Sequence, residues 1–188
     1  MYKVAERLAD LLVAKKVVES KDRDFYRYAI EGILLYCVNL LTLFLLAIIN
    51  EKLIECCIFL VFFFPLRTYC GGIHMKTWYS CYIVSCAMIQ FILMLSHNIC
   101  IGWTVLIIGL FLSELCIWTL APCDNPNHSL GQEQIKRCRQ RAKIYSSIII
   151  FLTIIFKLIG ADICVMLSFS AQILASALLI MGYFARYQ

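Results

Sequence analysis

Residues 53–66 read LIECCIFLVFFFPL, an apolar run of 14 residues with Glu55 near its start and Pro65 near its end. Whether this run crosses a membrane decides the fold. A spanning helix usually needs about 20 apolar residues, and re-entrant segments have the shorter length. Five further apolar runs flank it, at Ile33 to Ile49, Ser80 to Leu95, Ile101 to Leu120, Ile144 to Ile159 and Ile163 to Phe184. If all six runs cross, 15 of the 17 Lys and Arg lie on the side of the N-terminus. If 53–66 turns back, every later segment flips and the basic residues divide 8 against 9. Cytoplasmic loops carry the basic excess, so the charge pattern predicts six spans with both termini inside.

The composition agrees with a membrane setting. Of 188 residues 62% are hydrophobic and 15% charged, with a mean hydropathy of +0.83. Soluble domains run near 45–50% apolar and about 25% charged, so a water-soluble globule is excluded and the excess must face the lipid bilayer. The fold class expected is all-α, a polytopic helical bundle forming a single integral-membrane domain over residues 1–188. Eleven cysteines do not make a disulfide scaffold: the number is odd, no C-x-x-C pair occurs, and most lie in apolar runs. The charged first thirty residues lack the apolar core of a cleavable signal peptide. In segment 1–29, Val4, Leu8, Leu11, Leu12 and Val18 recur at near-helical spacing among Lys3, Arg7, Lys15 and Lys16, which predicts an interfacial amphipathic helix. The polar stretch Ser20 to Asp24 would then lead the chain into the first span. Segment 121–143 is a basic loop whose QEQIKRCRQRAK stretch predicts a short helix before the fifth span.

The loop at 67–81, RTYCGGIHMKTWYSC, concentrates reactive residue types. A Gly-Gly pair precedes His74, and Cys81 stands seven residues further at the start of an apolar helix, with Thr77 or Ser80 as its cap. A thiolate is the nucleophilic form of cysteine, and both an imidazole and a helix N-terminus favour it. In one straight helix the two residues would lie about 10 Å apart along the axis, so the segment must bend back, with Gly71 and Gly72 supplying the backbone freedom. Zinc is disfavoured, since Cys70, His74 and Cys81 give three ligands at best without paired short spacings.

The string Arg67-x3-Gly71-Gly72-x-His74-x6-Cys81, together with Ala121-Pro122-Cys123-Asp124-Asn125-Pro126 after the fourth span, resembles the accessory gene regulator B (AgrB) family of membrane peptidases that process quorum-sensing propeptides. The likeness extends over nearly the whole chain in length, hydropathy and order of spans. It implies a cysteine endopeptidase in the cell membrane of a Gram-positive bacterium, with Cys81 as nucleophile and His74 as general base. The implied partner is a short amphipathic AgrD-type propeptide, cleaved through a thioester and cyclised to a thiolactone or lactone. A homodimer is implied as well, while no metal, cofactor or nucleic acid is. The basic cluster here begins at Lys136, well after the Pro turn, and mixes Arg with Lys, so roles of particular lysines in relatives do not carry over.

Supporting roles stay open at this level. Arg67 suits either a substrate carboxylate or a pin for the loop, and Asp124 either an orienter of the imidazole or a turn residue. Glu55, Glu114 and Lys157 fall inside apolar runs, where ionisable groups turn inward or pair; Glu114, the deepest, suits a substrate contact or a structural pair. Asn39 and Gln90 suit interhelical hydrogen bonds. The oxyanion hole falls to backbone N–H groups near Gly71-Gly72 or at the start of the third span. A rival reading, a small transporter or peptide-exporter subunit, draws on the same three intramembrane charges but lacks the internal repeat and paired broken helices of transporters.

Overall fold

The computed structural model describes residues 2–15, 17–72, 78–123 and 131–185. Among them are α1 (Tyr2–Ala14), a 3-10 turn (Ser20–Asp22), α2 (Arg23–Ile49), α3 (Leu53–Cys70), α4 (Trp78–Leu95), α5 (Trp103–Leu120), α6 (Gln132–Leu158) and α7 (Asp162–Ala185), with no strand. Helices α2, α3, α5 and α7 are long and apolar enough to cross a membrane. The apolar part of α4 covers Tyr79–Leu95, and α6 carries its apolar run behind a basic first third.

Several boundaries depart from the sequence expectation. The first long helix starts at Arg23, ten residues before Ile33, and runs unbroken for 27 residues. Its first residue reaches back to α1: Arg23 Nε donates to Asp10 at 2.6 Å, and Glu6 lies 3.8 Å from the same guanidinium. Ala5 and Ala9 are fully buried against α2, so α1 packs by its small residues and leaves Val4, Leu8 and Leu11 exposed. Helix α3 runs four residues past Leu66, which places Arg67 in its last turn instead of a loop. It stops at Gly71, whose φ of 73° suits the left-handed end of a helix. Helix α6 is one continuous element, begun by the Gln134 side chain accepting from the Gly131 N–H at 3.2 Å. Helix α5 ends where Ala121 turns extended before Pro122, as a residue preceding proline is pushed to do.

Helix α7 is the pillar of the bundle and packs on α3, α5 and α6. It buries Ser168, Ala171, Gln172, Ala175, Ser176 and Gly182. Small residues let helix backbones approach closely, which is how helices associate in lipid. At one end of the bundle, Lys52 Nζ donates to the Leu93 carbonyl and His97 Nε2 meets Glu55 at 2.9 Å. At the other, Leu66, Cys70, Ile117, Ala121, Ala142, Ala175 and Leu179 share one buried cluster. The ends of α3 and α5 and the first half of α6 therefore meet at one end of α7.

The Asp10 carboxyl titrates below the usual carboxylate range because Arg23 hydrogen-bonds it. A group with a depressed folded-state value contributes stability above its ordinary value, about 3.9 for Asp, and loses it as pH falls through the lowered one. Docking of α1 is expected to be unchanged between about pH 5 and 8 and to loosen only in stronger acid. Asp10→Ala should loosen it at neutral pH. Hydrogen exchange of the α1 amides measures both.

Candidate functional site

The two motif-bearing stretches of sequence, 52 positions apart, meet backbone to backbone. Gly71 and Cys123 form a parallel β-bridge, and the Cys123 N–H donates to the Cys70 carbonyl at 2.9 Å. Both glycines are required by space as well as by φ. A Cβ on Gly71 would collide with the Cys123 carbonyl oxygen. At Gly72, with φ of 132°, it would lie 2.8 Å from Arg67 Nη1 and 2.9 Å from the Leu178 carbonyl of α7. The pair thus does more than loosen the chain: it lets three backbones and a guanidinium converge.

Of the two roles open to Arg67, the geometry supplies the pin, with a backbone carbonyl in place of an acid. Its Nη1 donates to the Gly71 carbonyl, closing the end of α3 on itself. The half-buried guanidinium also lies within electrostatic range of the sulfurs of Cys70, Cys81 and Cys123. Cys70 is buried, Cys123 half-buried and Cys81 exposed, and all are free thiols. Cys81 is the fourth residue of α4. Ser80 lies inside α4 and so cannot be its N-cap. His74, Thr77 and Asp124 lie outside the described residues.

Glu114 faces the interior and is fully engaged. Trp118 Nε1 donates to its Oε1 at 2.6 Å and Ser147 Oγ at 3.0 Å, while Gln172 Nε2, at 3.3 Å, and Ser146 Oγ donate to Oε2. Gln172 also donates to Ser146 at 2.8 Å, so α5, α6 and α7 share one polar network. Glu55 pairs with His97 in the turn after α4, and Lys157 with Asp162 at 2.9 Å. Gln90 exchanges amide hydrogen bonds with Asn50, while Asn39 accepts from Cys86 Sγ at 3.7 Å. Ser146 and Gln172 escaped the sequence reading, although a polar residue inside an apolar run is the signal that marks such positions. Arg139 escaped it too: its Nε donates to the Ala121 carbonyl at 3.0 Å, beside the bridge. Among the described residues, no group of three or more His, Cys, Asp or Glu could hold a metal ion.

A helical bundle with an apolar exterior, whose glycine-tied end gathers an arginine and several free thiols, defines a membrane protein. The chain belongs to the accessory gene regulator B (AgrB) family, whose model matches residues 5–183. No curated protein and no solved structure matches it. Membership places the chain among membrane-associated processing proteins of accessory gene regulator systems.

Gly71→Ala is expected to push the Cys123 carbonyl away and to strain φ at 71, at a cost of about 1–3 kcal/mol. Thermal unfolding of the protein in lipid nanodiscs would show it. Gly32→Ala, at a helical site with open space around it, should be neutral or stabilising by up to about 1 kcal/mol.

Proposed function

We propose that this chain is a membrane-embedded cysteine endopeptidase that cleaves the C-terminal part of a short, amphipathic AgrD-type propeptide and promotes its cyclisation. The observation that carries the proposal is the junction of the two motif stretches at Gly71 and Cys123, with Arg67 in range of Cys81. Family membership supports the substrate class. In this reading all six helices α2 to α7 cross the cell membrane of a Gram-positive bacterium, with both termini and the site on the cytoplasmic face. Helix α1 lies along that face through its exposed Val4, Leu8 and Leu11. Two copies work as a dimer.

His74 takes the proton of the Cys81 thiol, and the thiolate attacks the scissile carbonyl carbon. The C–N bond breaks, the amine leaves with the proton from His74, and the N-terminal fragment stays on Cys81 as a thioester. A thiol or hydroxyl within that fragment then attacks the thioester, closing the ring and restoring Cys81. An internal nucleophile at high effective concentration outruns water at a partly dry site. Asp124 orients the imidazole, and backbone N–H groups near Gly71-Gly72 or at the start of α4 receive the oxyanion. The transporter reading is weakened because Glu55, Glu114 and Lys157 are each occupied by protein partners.

The protein in nanodiscs, incubated with a precursor peptide, is expected to give a thioester adduct on Cys81 by mass spectrometry, absent in Cys81→Ser and in His74→Ala. Cyclic product from Cys81→Ser would overturn the assignment. Glu114→Gln should lower the thermal midpoint while leaving the adduct on Cys81; loss of peptide translocation in that variant, with no adduct in the wild type, would favour the transporter.

A further inference from the structure

The basic first third of α6 looks by composition like a solvated patch awaiting an acidic partner. Most of its side chains are exposed, yet several also make contacts with the protein. Arg137 pairs with Glu133 at 2.9 Å, Arg141 lies over the Tyr69 ring at 5.4 Å, and Lys143 Nζ lies 4.7 Å over the Trp118 ring. Arg139 makes the contact with the greatest reach. Its Nε–H donates at 3.0 Å to the carbonyl of Ala121, the residue on which α5 ends. Two residues later the Cys123 N–H donates to the Cys70 carbonyl, and Gly71 bridges to Cys123. The Gly71 carbonyl in turn receives Arg67, whose guanidinium is in range of the Cys81 sulfur.

We infer that Arg139 is a positioning residue, which holds the 121–123 turn so that the turn fixes the Gly71-Gly72 segment and the Arg67 side chain that closes on it. The helix-end carbonyl of Ala121 has no proton donor in its own helix beyond it. A guanidinium supplies that donor in a fixed plane, and a lysine ammonium carries the same charge without the fork. Its effect on turnover rests on the peptidase reading, whereas the clamp itself does not.

The test uses the full chain in nanodiscs with Arg139→Ala, Arg139→Lys and, as a charge-matched control, Lys136→Ala. Hydrogen exchange at the Cys123 amide is expected to speed up by about tenfold in Arg139→Ala and to stay unchanged in Lys136→Ala. With a precursor peptide as substrate, kcat should fall by about tenfold in both Arg139 variants, with KM held within about twofold. Unchanged exchange at Cys123 in Arg139→Ala overturns the clamp, whatever the activity. An Arg139→Lys protein with wild-type kcat, or variants that raise KM and keep kcat, would make Arg139 a charge for the substrate and overturn the inference as well. Should the wild type fail to process peptide while the exchange result holds, the peptidase reading falls and the clamp stands.

Discussion

Everything at the glycine-tied end of the bundle depends on how closely helices can approach α7. In lipid the tails are as apolar as the side chains, so association has to come from packing and from hydrogen bonds between helices. Helix α7 meets that demand with a column of small residues, from Ser168 through Ala171, Ala175 and Ser176 to Gly182, buried against its neighbours. Thr153 Oγ1 donates to Ser168 Oγ at 2.9 Å between α6 and α7, and Leu178 offers its backbone carbonyl within reach of Gly72. A larger side chain in that column would hold α3 and α5 apart, and the ends of those two helices could not touch.

Where they touch, orphaned carbonyls become connections. The last carbonyls of a helix have no partner within it, and two helices ending side by side multiply the problem. Here the Cys70 carbonyl takes the N–H of Cys123, the Gly71 carbonyl takes Arg67, and the Ala121 carbonyl takes Arg139. Two glycines keep side chains out of the crossing. The same arginine that closes α3 brings positive charge toward Cys70, Cys81 and Cys123. That side chain closes the helix end and places its charge at the same end of the bundle as these cysteines.

The intramembrane charges follow a different logic. Glu114 is costly in an apolar layer, and the hydroxyls of Ser146 and Ser147, the Gln172 amide and the Trp118 indole offset that cost across three helices. A carboxylate so fully satisfied acts as a specific cross-brace. It fixes the mutual rotation of α5, α6 and α7, and with it the direction in which Arg139 leaves α6.

Much of this was legible in the chain itself. Hydropathy and the scarcity of charge determined an all-helical membrane bundle, because a segment in lipid must satisfy its backbone internally. The amphipathic spacing of Val4, Leu8 and Leu11 determined a separate first helix, and Gly71-Gly72 marked a turn in the chain. Helix limits were less legible: Pro65 and Arg67 suggest an end at Leu66, yet α3 runs through both and stops only at Gly71. Only the tertiary structure decided that Gly71 would rest on Cys123, that Arg67 would hold a carbonyl, and that the exposed Arg139 would reach the carbonyl at the end of α5. Those contacts join residues far apart in sequence through backbone atoms that every residue type carries. A pattern of side chains has no means of recording which carbonyl an arginine will find.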